Sequence, residues 1–468
     1  MNNLDQENFR GQLATVGEQG KRNWIYPKKP KGPLHNYRRV MAWLLLGLFF
    51  AGPFLKIGGH PLLLFNVFDR KFVILGSVFW PQDTHLLIFL LLIFVVFILL
   101  FTVVFGRVWC GWACPQTVFM EMVFRKIEYW IEGDAGRQKK LNAKPWDFEK
   151  VWKKTAKQGI FLLISFWVSH TFMAYLIGIQ EMQNIISSGP RANWGGFTGL
   201  LVFTGIFYFV FSYFREQACT VVCPYGRLQG VFLDKKSIVV MYDWLRGEPR
   251  GKLKKGTPQP DKGDCIDCTL CVQVCPTGID IRNGTQMECV NCTACIDACD
   301  EVMTKINKPK GLIRFDSHEG VEERKKSLIT PRVLAYSVVL VVLLGIMGFL
   351  LVGRASVETT LTRTPGSIYQ MKNDSIISNM YQLQMINKSF DPMKLSFEVT
   401  PQGAKLFFPA GEMKVLEGQE KADVYVFVEM PRRVFNEKGD KFKLIVKKDD
   451  EVVQTIKSRF PGPKSFQK

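Results

Sequence analysis

The sequence predicts a polytopic α-helical membrane protein of five spans, with a soluble cysteine-rich insert before the last span and an immunoglobulin-like β-sandwich after it. Three observations carry that fold class. Five apolar runs punctuate the chain, most of its twelve cysteines crowd into residues 265–299, and the residues beyond about 354 alternate polar and apolar.

The spans come first. The 468 residues exceed one ordinary core, and 47% of them are hydrophobic with 37 Phe, which signals lipid once those residues cluster. Leu86 to Phe105 holds no charge and is long enough to cross a hydrocarbon core of about 30 Å. Val40 to Leu55 is shorter, with Lys56 placed to snorkel. Gly159 to Ile179, Phe197 to Phe214 and Val333 to Val352 complete the set. Buried helices of a large soluble protein would not carry basic flanks so regularly. No signal peptide is expected ahead of them. Lys28, Lys29 and Lys31 stand among prolines and glycines as in a flexible tail, so the first span serves as its own insertion signal.

Charge then sets orientation. A net charge of +19 raises nucleic acid as a partner, but its distribution excludes that reading. Lys and Arg fill the stretch from Arg125 to Lys157 and crowd the segment between spans four and five, whereas the loops after spans one and three hold only Arg70, Lys71 and Arg191. The positive-inside rule puts the N-terminus in the bacterial cytoplasm and the C-terminus in the periplasm. The expected organisation is a cytoplasmic tail (1–37), a four-helix membrane domain of two hairpins (38–232), a cytoplasmic cysteine-rich domain (233–330), a fifth span (331–353) and a periplasmic domain (354–468).

The cysteine-rich domain carries the chemistry. Cys265, Cys268, Cys271 and Cys275 follow C-x2-C-x2-C-x3-C, closed by Pro276; Cys289, Cys292, Cys295 and Cys299 repeat it, with Asp300 in place of proline. Thiolates two residues apart in tight turns hold three corners of an iron–sulfur cube, and the fourth cysteine of each run ligates the other cluster. One [4Fe–4S] cluster is therefore assigned to Cys265, Cys268, Cys271 and Cys299, and the second to Cys289, Cys292, Cys295 and Cys275. The insert reads as a bacterial-type double [4Fe–4S] ferredoxin domain. Paired zinc knuckles are the alternative, but zinc needs no third cysteine at this spacing plus a distant fourth. Such a chain moves single electrons.

The tail reads as β. Lys394 to Thr400 alternates, Asp423 to Glu429 is dense in Val, Tyr and Phe, and Phe442 to Val446 with Val452 to Ile456 flanks a turn. About 100 residues of short strands, with no cysteine after Cys299, predict a sandwich built without disulfides.

Four cysteines remain. Phe105, Cys110, Cys114-Pro115 and Lys126 recur at a constant offset as Phe214, Cys219, Cys223-Pro224 and Lys235, so the two hairpins read as a duplicated unit. A helical segment would put each Cys-x3-Cys pair on one face. The proline suits the first turn of a following helix, whose free N–H groups would keep part of the thiols ionised. Four soft ligands at one membrane face bind Cu(I) or cycle between dithiol and disulfide. The bland reading is inert packing. His170 lies roughly 17 Å into span three by helical rise, and stands between a packing residue and a candidate metal ligand. Met120 and Met122 read as gap-fillers.

This order of parts resembles the CcoG family, also called RdxA or FixG. The carrying residues are Trp109 to Gln116, Cys219 to Gly226, the run Cys265 to Asp300, and the tail stretch Ile377 to Lys388 with Asn379, Tyr381 and Asn387. The resemblance implies an oxidoreductase of the bacterial inner membrane that reduces Cu(II) to Cu(I) for assembly of cbb3-type cytochrome c oxidase. It implies copper as substrate at Cys110, Cys114, Cys219 and Cys223, and a copper chaperone or oxidase subunits as partners. The alternative is a quinol dehydrogenase of the NapH type, which generally lacks the fifth span and β-tail. A third reading is a non-catalytic assembly scaffold or redox sensor. The electron donor is not legible in the sequence, and homodimerisation is left open.

Overall fold

The computed structural model describes residues 15–16, 21–57, 60–67, 71–74, 77–252, 262–324, 329–353, 355–366, 368–373, 375–409, 411, 415–418, 420–448 and 451–462. Residues 1–14 and 17–20 of the expected tail, and 253–261 of the stretch leading into the cysteine-rich domain, lie outside them. The chain divides into two compact units. One holds Met1–Leu55, Leu64–Asp69 and Thr84–Met347; the other holds Lys56–Leu63, Arg70–Asp83 and Gly348–Lys468.

Four helices among the described residues are long and apolar enough to cross a membrane: Thr84–Phe105, Phe148–Ile177, Trp194–Phe214 and Pro331–Val352. The run Val40 to Leu55 overlaps a fifth helix, Pro33–Ala51, 19 residues long, whose end leaves Gly52 to Leu55 outside it. Asp147 caps Phe148–Ile177 by accepting from the Lys150 N–H at 2.9 Å. That helix starts well before the apolar run at Gly159, so its first turns place Lys154 and Lys157 against Glu132, at 2.9 and 3.0 Å. Basic residues that read only as topology determinants thus also form buried ion pairs. The helices pack through aromatic rings, with Phe124 stacked on Phe211 at 4.6 Å between centroids. Ser169 and Thr204 join Phe148–Ile177 to Trp194–Phe209 by a hydroxyl pair at 2.8 Å. Small polar residues hold apolar helices together where water cannot compete.

The cysteine-rich segment belongs to the same unit as these helices. Its frame is a two-stranded ladder, Val239–Tyr242 antiparallel to Ile313–Asp316. The segment 21–32, expected to be flexible, is instead anchored. The Lys28 N–H donates to the Gln273 carbonyl at 2.7 Å, Tyr129 donates to the Pro27 carbonyl at 3.0 Å, and Arg22 pairs with Glu216 at 3.3 Å. Proline-rich composition reports backbone stiffness and is silent about tertiary partners.

The second unit is a sandwich. One antiparallel sheet runs Lys405–Phe407, Lys421–Pro431, Ile376–Asn387, Val357–Arg363, with Gln370–Asn373 also on Ile376–Asn387; the other runs Val415–Leu416, Met393–Thr400, Lys441–Lys448, Glu451–Arg459. Tyr381, Leu383, Val426 and Val428 of the first meet Phe442, Leu444 and Val446 of the second in one core. Tyr381 is buried and donates across to the Arg459 carbonyl at 2.6 Å, and Asn379 donates to the Pro461 carbonyl at 2.8 Å. Asn387 Nδ2 bridges the carbonyls of Asp391 and Glu417, at 2.9 and 2.8 Å. Lys388, buried, joins Asp83 at 2.5 Å and Glu358 at 2.6 Å.

Candidate functional site

Two thiol-lined cavities occupy the cysteine-rich segment. Cys265, Cys268, Cys271 and Cys299 line one, closed by Tyr242, Leu270, Met303 and Ile313. Cys275, Cys289, Cys292 and Cys295 line the other with Val240, Ile279, Ile281 and Val290, and Cys271 reaches its wall as well. The fourth cysteine of each run thus stands in the cavity of the other run.

Paired left-handed turns shape both cradles. Asp267 and Thr269 have φ of 51° and 56°; their counterparts Asn291 and Thr293 have 51° and 66°. Each lies between two cysteines of its run and curls the backbone around the cavity. Side chains rarely adopt this conformation, and strained residues cluster at functional sites. No spacing rule signalled these four residues. The walls are largely apolar, with Arg282 in the first cavity and Thr277 and Thr293 in the second, and an apolar shell limits water and tunes a cluster's potential. Among the described residues no three His, Cys, Asp or Glu side chains lie close enough to hold a single metal ion. Four thiols gathered in each cavity, three from one run and the fourth from the other, are the donor set of a [4Fe–4S] cube.

The membrane cysteines sit against this segment. Cys110 lies in the short helix Val108–Trp112, and Cys114 is the extended cap (φ −61°, ψ 125°) of Pro115–Phe119. Cys219 lies in the π-turn Ala218–Val222, and Cys223 (φ −65°, ψ 110°) caps Pro224–Phe232. The duplication is therefore structural. No single helix carries both thiols of a pair, because the proline starts a new one. Cys110 and Cys219 precede the helices that Pro115 and Pro224 start, and burial pushes their thiols up, to about 11 and about 12 respectively, with neighbouring Cys114 adding to both. Burial thus opposes ionisation of these two thiols. The Cys110 thiol donates to Gln229 Oε1 at 3.4 Å.

Contacts from the first motif reach both the second motif and the cysteine-rich segment. Cys110 packs into an apolar cluster with Val274, Val290, Cys292 and Ala298. The Trp112 indole N–H donates to the Asn291 carbonyl at 3.3 Å. Arg107 donates to the carbonyls of Met287 and Gly226, and Gln116 donates to the Arg215 carbonyl at 3.3 Å. Arg38, which reads in the sequence as a topology determinant, is buried and donates to the Gly111 carbonyl at 2.6 Å. Asp297, between two cysteines of the second run, caps the helix Pro33–Ala51 through the N–H groups of Leu34 and His35, at 3.2 and 2.7 Å. Gln229, Arg38 and Asp297 had no motif to reveal them. His170 is buried, its Nδ1–H donating to the Phe166 carbonyl at 2.8 Å and its ring lying 3.9 Å from Phe166. That bond fixes the Nδ1 side of the ring within its own helix.

Comparison with known proteins agrees with this architecture. A 4Fe–4S dicluster domain family matches residues 214–318, and a 4Fe–4S binding domain family matches 87–138, which contains Cys110 and Cys114. The Ig-like fold found at the C-terminus of FixG matches 347–463. Protein RdxB of Cereibacter sphaeroides is 35% identical over 399 residues, covering 82% of this chain and 83% of its own. The chain belongs to the CcoG/RdxA/FixG family. Protein RdxA of the same organism is 33% identical with 86% of each chain covered, and the nitrogen fixation protein FixG of Rhizobium meliloti is 30% identical over 91% of this chain and 90% of its own. With this family's apolar helices and 4Fe–4S domains, the chain is a membrane iron–sulfur redox protein.

Proposed function

We propose that this protein reduces Cu(II) to Cu(I) at the cytoplasmic face of the bacterial inner membrane, for assembly of a cbb3-type cytochrome c oxidase. The observation that carries it is the packing of Cys110 against the apolar cluster that contains Val290 and the cluster ligand Cys292, with Trp112 bonded to Asn291. Cys265, Cys268, Cys271 and Cys299 would ligate one [4Fe–4S] cluster, and Cys289, Cys292, Cys295 and Cys275 the other. When bound, these clusters supply one electron at a time at low potential, which is what Cu(II) requires.

The residues have separate tasks in this reading. The apolar walls exclude water. Trp112, Arg107 and Arg38 hold the first motif against the cluster loops. Cys110, Cys114, Cys219 and Cys223 receive the ion, because soft thiolates favour Cu(I) over oxygen donors. Their thiols do not converge as a ready three-ligand site, which suits transfer by pairs and release to a chaperone or oxidase subunit. His170 is left out of the copper site. Val40 to Leu55 is the first of five spans, and the sandwich is periplasmic.

A small cavity favours a second reading. Gln116, Thr117, Glu121, Arg215, Glu216 and Cys219 line it with Pro276, Thr277 and Val290 of the cluster loops. Polar groups beside a cluster would suit a quinol head group in a quinol dehydrogenase. Anaerobic protein decides between them. It should carry about eight iron per chain and, once its clusters are reduced with dithionite and the excess is removed, pass those electrons to Cu(II) without added quinol. The Cys110/Cys114/Cys219/Cys223→Ser variant should keep its iron and lose copper reduction. Parental copper reduction by that variant, or cluster reduction that requires quinol, would reject the copper reading.

A further inference from the structure

The outer face of the second sheet carries a block of four cations. Lys441 pairs in register with Arg459, and Lys443 with Lys457, on the neighbouring strands Lys441–Lys448 and Glu451–Arg459. All four are exposed, while Phe442 and Leu444 between them point into the core. Like charges directly opposite one another destabilise a ladder. The sheet offers little compensation. Glu398 on the adjacent strand is taken by Lys447, and Glu451 lies at the other end of the hairpin, opposite Lys448. Among the described residues none of the four cations pairs with a carboxylate; Asp440, next to Lys441, engages Phe460 through its backbone carbonyl at 2.6 Å. A groove runs through the block, lined by Thr400, Pro401 and Ser458 with the four cations.

Edge protection accounts for part of this. Lysines on an edge strand block sheet-to-sheet aggregation, which covers Lys457 and Arg459. It does not cover Lys441 and Lys443, which lie on an interior strand. A repulsive block kept on two strands points to a binding partner that neutralises it.

Register decides what kind of partner. The chain enters the sandwich at Val357, and the Lys388 N–H beside it donates to the Ser356 carbonyl at 2.8 Å. Asp83, which immediately precedes the apolar helix Thr84–Phe105, binds Lys388 at this same end. Gln454 sits here too, its side-chain oxygen accepting from the Thr359 N–H at 2.7 Å. Strand Glu451–Arg459 then leads away, so that Arg459 lies beside Tyr381, whose partner is Arg363. Val357 to Arg363 spans roughly 20 Å at strand rise. The block therefore stands at the end of the sandwich remote from both points where the chain comes from an apolar helix. Its two rows of cations, in register on neighbouring strands and open along the groove, match an extended chain bearing carboxylates.

We infer that the groove of Lys441, Lys443, Lys457 and Arg459 is a docking site for an acidic segment of a partner protein. Such a segment would lay carboxylates along the two rows of cations, with affinity that falls steeply as salt screens it. This docking role does not depend on copper being the substrate.

The test uses the full chain in nanodiscs of phosphatidylcholine, with fluorescein-labelled decaglutamate followed by anisotropy. Binding should be readily measured at about 50 mM NaCl and largely lost at about 300 mM. Lys443→Glu with Lys457→Glu should weaken it about tenfold or more. Lys394→Glu with Lys405→Glu, exposed cations outside the block, should leave it near the parent. Equal loss in both variants would reveal a response to net charge alone and overturn the site. So would unchanged binding by the first variant. In a parallel arm with phosphatidylglycerol vesicles, vesicle binding that depends on the block while peptide binding does not would assign it to lipid instead.

Discussion

The indole of Trp112 donates to the backbone carbonyl of Asn291 at 3.3 Å. One residue earlier, Gly111 comes so close to the cysteine-rich loop that an added Cβ would collide with the Val290 carbonyl. The first membrane motif is thereby seated directly on the loop between Cys289 and Cys292.

That seating predicts the effect of Gly111→Ala. The methyl meets backbone, which cannot rotate away as a side chain could, so the motif must lift. Displacing a reacting group by about 1 Å costs on the order of a hundredfold in rate. Copper reduction should fall by about tenfold or more while iron content stays at the parental value. Parental rates in this variant would remove Cys110 from the electron path.

Exchange of the fourth cysteines should act across runs. Cys275 lines the cavity of Cys289, Cys292 and Cys295, and Cys299 that of Cys265, Cys268 and Cys271. Cys275→Ser should therefore disturb the second cluster and leave the first, and Cys299→Ser the reverse. Electron paramagnetic resonance of the reduced variants reads this directly. Loss of signal from the variant's own run would reassign the ligands.

Acid should loosen the start of the helix Pro33–Ala51. Burial, followed by the charges of Arg38, Lys126 and Arg39, lowers the His35 pKa from 6.5 to about 4. The folded state thus holds His35 neutral, while the unfolded chain protonates it near 6.5. Stability is complete above about pH 6.5 and drains away as pH falls toward about 4. His35→Gln should flatten that slope. Melting of the purified protein at about pH 7.5 and about pH 5 should show the parent losing more than the variant. Equal losses would place the acid sensitivity elsewhere.

Orientation is open to a fusion experiment. Lys388 binds Asp83, and the residues just before Thr84–Phe105 share one compact unit with the C-terminal sandwich. Alkaline phosphatase joined after Lys468 should be active, because the enzyme matures only outside the cytoplasm. A fusion after Lys144, in the basic segment, should be inactive. Reversed activities would invert the topology.

Much of this protein is legible in its sequence. Spans show because lipid demands long uncharged runs, and the cysteine runs show because a cube demands fixed ligand spacing. Local chemistry is written locally, so the helix starts at Pro115 and Pro224 and the hairpin of Lys441–Lys448 with Glu451–Arg459 follow from neighbouring residues alone. The longest strand, Ile376–Asn387, was visible only as a family resemblance, since its near-continuous burial hides the alternation that marks a strand. Tertiary structure alone decided that Arg38 serves Gly111, that Asp297 caps a helix more than two hundred residues earlier in the chain, and that segment 21–32 is a strap and not a loose tail. It also decided that burial opposes ionisation of the Cys110 and Cys219 thiols. These outcomes depend on which surfaces meet after folding, and the energies of burial and of distant hydrogen bonds leave no periodic trace in the residues that make them.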